Sequence, residues 1–120
     1  MEGRGQGRPL SPTGVIGRWE SFVEDCEAGY GDNIYEFEND MYVRGLIEEM
    51  LRNPDLAEFE QLGWVRAQVE AIDDRYRALL ADREVRPGAS WWEARVPRIA
   101  GRELAADFRA QYELEVEVRD

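Results

Sequence analysis

The chain has 120 residues, 43% of them hydrophobic, with four tryptophans, one cysteine and a formal net charge of −11. That length is enough for one buried core without metal or disulfide support, and the composition excludes a disordered chain. Lysine and histidine are absent and all fifteen basic residues are arginine, which removes the two commonest titratable catalysts and points to a GC-rich, bacterial type of coding genome.

The charge is unevenly spread. Residues 1–18 carry a net +2, residues 19–60 set 13 acids against Arg44 and Arg52 for a net −11, and residues 61–120 carry −2. A local negative field of this kind repels nucleic acid and speeds encounter with cationic protein surfaces. The plain alternative is a solvated acidic surface that serves only solubility.

Taken in chain order, residues 1–13 (MEGRGQGRPLSPT) have no periodicity and read as a flexible leader ahead of one globular domain over residues 14–120. They lack the apolar core of a signal peptide, and no apolar run approaches the ~20 residues that span a bilayer. A reducing cytoplasm and no membrane partner are therefore expected.

A first helix is expected from Gly14 to Ala28, where Ile16, Trp19, Phe22, Val23 and Cys26 recur at three- and four-residue steps. Cys26 then reads as a buried reduced thiol. Glu24, Asp25 and Glu27 near the helix end oppose its dipole, which a sequence tuned only for stability would avoid. Gly29 suits a C-terminal cap, and residues 30–33 are turn material.

The stretch Gly29–Leu51 organises the rest. Ile34, Phe37, Met41, Leu46, Ile47, Met50 and Leu51 fall on one side of helical structure, with Asp32, Glu36, Glu38, Asp40, Glu48 and Glu49 between them. Asn33 or Asp32 could cap a short helix through Phe37 that restarts at Met41, or the stretch is one bent helix. The candidate partner-binding residues are Glu24, Asp25, Glu27, Asp32, Tyr35, Glu36, Glu38, Asp40 and Tyr42. Reversing Glu36, Glu38 and Asp40 to arginine should spare the fold and abolish capture.

Asn53-Pro54 opens a further helical segment, Asp55–Ala81, which reads as the central structural helix, interrupted at Gly63. Asp73 and Arg77 are expected to pair on its exposed side. Residues 82–90 are loop, and Ser90 with Glu93 could form a capping box limited by Pro97. Trp91 and Trp92 are candidate interface aromatics; the plainer reading puts one in the core and the other over a helix end. Ile99–Tyr112 returns to helix. Glu113–Val118 alternates as a strand does, and its pairing stays open: a second copy in a homodimer, another protein's sheet edge, residues 83–86, or none at all if it is a frayed tail. The fold class is thus mainly α, a compact bundle of four to five helices with a short C-terminal β-strand.

Familiar catalysis finds no support in these residues. Nucleophile triads and zinc sites need His, Lys or further Cys. The acid run misses calcium-loop spacing, with Phe37 and Val43 where Gly and Glu belong. No phosphate-binding glycine loop exists, and no metal or cofactor is expected. In size, in the run DNIYEFENDMY and in this lack of catalytic groups, the chain resembles the small acidic immunity proteins of bacterial toxin systems. That resemblance implies a non-catalytic inhibitor that covers a basic toxin surface; it assigns no individual residue. The alternatives are a homo-oligomeric interaction protein using the C-terminal strand, or a small-molecule or enzymatic module.

Overall fold

Apolar residues at three- and four-residue steps wind Pro12–Ala28 into the first helix, α1, in a computed structural model that describes residues 12–52 and 61–119. The helix begins two residues inside the stretch expected to be leader; the rest of that leader, and the Asn53-Pro54 helix start, lie outside the described residues. Trp19, Val23 and Cys26 are fully buried on α1. The helix stops where Gly29 takes φ +99°, a left-handed value that glycine adopts without penalty. A side chain there would also collide with the Arg119 carbonyl, since a Cβ on Gly29 would lie 2.1 Å from that oxygen.

The second helix, α2, runs unbroken over Ile34–Arg52, which decides for one helix against two. Asn33 is its cap: its Oδ1 accepts the Glu36 N–H at 3.0 Å, while Asp32 accepts the N–H of Asn33. Asp107 takes the next free donor, the Ile34 N–H, at 2.9 Å.

Helix α3 covers Gln61–Leu79, with Gly63 inside it, and buries Val65, Val69, Ile72 and Tyr76. The hub of the fold is α1 rather than α3, because α1 packs against α2, α3 and the first strand together. A short helix α4, Trp91–Ala94, follows the 82–90 loop. Ser90 precedes it as expected, but no side-chain cap bond forms; the Ser90 carbonyl accepts the N–H groups of Glu93 and Ala94 instead.

Strand β1, Ile99–Ala100, takes residues expected to open the last helix, and α5 starts later, at Arg102–Tyr112. The cause is long-range. Arg98 and Gly101 donate their N–H groups to Leu79 and Tyr30 carbonyls, and β2, Glu117–Val118, pairs parallel to β1 with Ile99 opposite Glu117. The C-terminal strand is therefore shorter than its alternating pattern, and it finds its partner in its own chain. Glu113 turns the chain there in a left-handed conformation, φ 53°.

The core is one cluster of aromatic and aliphatic side chains. Phe22 meets Trp19, Tyr30, Phe37 and Tyr76 with ring centroids 5.5–5.7 Å apart, spacings that favour edge and offset contacts. The molecule is thus mainly helical, with a two-stranded sheet near its C-terminus. Among the described residues no helix is long and apolar enough to cross a membrane.

Candidate functional site

The α1–α2 hairpin leaves an open groove of about 530 Å³ on its outer side. Phe22 and Val43 lie buried beneath it, Leu46 is half-buried at its wall, and exposed Tyr42, Asp25 and Asp40 line it. A second hollow of about 390 Å³ shares both aspartates and continues past Gly31 to Asp32. Helix geometry explains the gathering. Asp25 lies three residues beyond Phe22 on α1, and Asp40 lies three before Val43 on α2, so each carboxylate flanks a side chain that closes the hairpin.

The nine candidate residues do not form one plate. Asp25, Asp32, Asp40 and Tyr42 meet in the groove system. Glu36 is exposed one turn before Asp40, and Glu24 is exposed one turn beyond Glu20, outside the groove lining. Tyr35 is 75% exposed and Tyr42 66%, two turns apart on α2. Glu27 leaves the group: it lies on the α3 flank of α1, where its Oε1 accepts Arg75 Nη2 at 2.7 Å and Glu20 takes Arg75 Nη1 at 3.1 Å. Glu38 leaves as well, paired with Arg86 of the 82–90 loop. Asp40 stays but is partly engaged, accepting the Tyr30 hydroxyl at 2.5 Å. Asp25, Asp32 and Glu36 have no arginine partner among the described residues.

This arrangement raises the local negative potential. Burial pushes the Cys26 thiol up, and the charges of Asp25, Asp40 and Glu27 push it further. Burial likewise lifts the Tyr30 hydroxyl, helped by its hydrogen bond to Asp40, so it remains a proton donor. Glu27 is held below the usual carboxylate range by its hydrogen bond from Arg75. An exposed groove of this sign attracts guanidinium and ammonium groups, and Tyr42 offers a ring face for them.

On the opposite flank of α2 lies a buried ion pair of Arg44 with Asp73, the latter expected on the exposed side of its own helix. Arg44 is 4% exposed and Asp73 2%. Arg44 Nε and Nη2 each meet an Asp73 oxygen at 2.9 Å, Trp19 Nε1 donates to Asp73 at 2.9 Å, and Arg44 Nη1 reaches Glu48 at 3.1 Å. Asp73 therefore does not support an exposed helix side with Arg77; Arg77 pairs with Asp74 instead. Burial works against the Arg44 charge, but Asp73 and Glu48 hold its guanidinium above the ordinary value.

Trp92 is buried beside this pair and Trp91 half-buried, with the Arg44 guanidinium 4.7 Å and 5.7 Å from their ring centres. The Arg77 guanidinium also lies over Trp91, 4.1 Å from its ring centre. These two tryptophans are packed within the fold; the exposed one is Trp64, at 62%, which the sequence reading passed over. Its position beside Val65 in α3 gave no more signal than any polar-side residue. Among the described residues no group of three metal-ligating side chains converges. No known protein family, curated protein or solved structure matches the chain.

Proposed function

We propose that this protein is a non-catalytic binding module that covers a basic surface of another protein with its α1–α2 groove, in the manner of a stoichiometric inhibitor or immunity protein. One observation carries this reading. Glu20, Glu27, Glu38, Glu48 and Asp73 are each paired with an arginine of the chain, whereas Asp25 and Asp32, which line the groove system, have no arginine partner among the described residues. Exposed carboxylates supply steering, and the exposed rings of Tyr35 and Tyr42 on α2 supply adhesion.

The test begins with recovery of the partner from source cells by the tagged chain and its identification by mass spectrometry. Calorimetry at low and high salt then compares the native chain with the Asp25→Arg/Asp32→Arg variant. Expected are an affinity that falls with salt and at least a roughly tenfold loss, about 1.4 kcal/mol, in the variant. A partner that binds the reversed groove equally well sinks the proposal. Glu38 and Asp40 make a poorer test, because reversing them breaks contacts to Arg86 and Tyr30.

A further inference from the structure

Among the described residues, Glu113 is the one other than glycine whose backbone turns left-handed, with φ 53° and ψ 39°. Its N–H and that of Leu114 reach the Arg109 and Phe108 carbonyls. Glycine is the usual residue at this place in a helix end, because a side chain there crowds its own backbone. Beyond this bend β2 is only two residues long, and it rests on β1 through the Glu117 N–H to the Arg98 carbonyl and the Arg119 N–H to the Ala100 carbonyl, both at 2.8 Å. Half-buried Leu114 and Val116 of the same segment pack against the core, and the exposed Arg109–Glu115 pair bridges the bend. Returning Glu113 to ordinary helical angles would lengthen α5 and swing residues 114–119 off β1. The Arg98 and Ala100 carbonyls, and the seats of Leu114 and Val116, would then stand open.

We propose that β2 is an exchangeable strand: at high concentration two copies of the chain trade residues 114–119, each β2 completing the other's β1. A second copy is the fitting occupant because its β2 offers the same backbone bonds and apolar contacts as the closed chain, in the same register, with Ile99 opposite Glu117. The Arg119 carbonyl also needs the bare Cα of Gly29, which every copy carries. Exchange therefore keeps the contacts of the closed form and relieves strain at two hinges, the circumstance in which short connections favour swapping. What it gives up is the Arg109–Glu115 pair, which is exposed and weak. Against it stands the net charge of −11 on each copy, a repulsion that salt screens. The dimer should strengthen as salt rises, whereas capture of a basic partner by the groove should weaken, so the two readings fail separately.

Light scattering on the full chain, from micromolar to near-millimolar concentration, tests the exchange. The native chain should show a dimer share that grows with concentration and with salt. Glu113→Gly removes the strain and should weaken dimerisation by at least about tenfold, since each dimer relieves two hinges. Ile99→Cys/Glu117→Cys, oxidised while dilute, ties β1 to its own β2 across opposed residues at a spacing a disulfide can bridge. Native Cys26 is buried and stays out of that reaction. The tied chain should remain monomeric at every concentration, and reduction should restore the dimer. A native chain that is monomeric throughout, a Glu113→Gly chain that dimerises as readily as the native one, or a tied chain that still dimerises overturns the proposal.

Discussion

The two flanks of α2 treat charge in opposite ways. On the inner flank, Arg44 is enclosed by Asp73, Glu48 and two indole rings, and Asp73 also receives the Trp19 N–H. On the outer flank, Asp40 leans on a tyrosine, and its neighbours Asp25 and Asp32 have no arginine partner among the described residues. A buried ion must be answered from within the chain or the fold loses several kcal/mol, while an exposed one is answered by water. The contrast teaches where to look for work in a chain rich in acids. Carboxylates already held by arginines are committed to contacts within the chain, whereas those left to solvent along the groove are where the proposed binding role is to be tested.

The strongest way to break this contrast is Arg44→Ala, which strands Asp73 in the core. It should lower stability by about 3–5 kcal/mol, read as a drop in the urea midpoint. Asp25→Asn on the outer flank should leave that midpoint nearly unmoved.

Next comes Gly101→Ala. A Cβ there would stand 2.6 Å from the Tyr30 carbonyl, and the resulting shift should cost about 1–3 kcal/mol in thermal unfolding. It should also disturb the groove, because Tyr30 holds Asp40. Tyr30→Phe is milder, about 1 kcal/mol, since water replaces the lost hydroxyl at the exposed Asp40. By releasing that carboxylate it should strengthen partner binding, so stability and affinity would move in opposite directions.

The smallest effect belongs to Arg75→Gln. The Arg75 pairs with Glu20 and Glu27 are solvent-exposed, so the change should stay below about 1 kcal/mol. Its sign with pH is definite. Glu27 has a lowered pKa in the folded chain, so its contribution is present above the ordinary value of 4.5 and lost as pH falls through the folded value. Urea midpoints across that acid range should therefore fall less steeply in Arg75→Gln than in the native protein.

The helices were legible because their apolar residues recur with the helical period, and Gly29 and Asn33 mark their junction as turn chemistry requires. Strand β1 was not, since Ile99 and Ala100 owe their conformation to carbonyls of Leu79 and Tyr30 and to β2, all distant in sequence. Part of the site could be read more finely than charge totals suggest. Asp25 and Glu27 are two residues apart, about 200° around a helix, so one must leave any face the other occupies. Arg44 follows Phe37 and Met41 at buried-face steps of four and three, a register that marks it as interior. The pairing of Glu38 with Arg86 depends on where the 82–90 loop settles, and no local pattern carries that.

The placement of the four tryptophans gives the molecule its own optical control. Trp19 and Trp92 are buried, Trp91 is half-buried beside two guanidinium groups, and Trp64 projects from α3, so none lines the groove, whose exposed aromatic residue is Tyr42. In a Trp64→Phe background intrinsic indole emission therefore watches the interior, while anisotropy of a labelled ligand watches the surface. A variant whose emission spectrum is unchanged but which no longer slows the ligand's tumbling has lost recognition and kept its architecture.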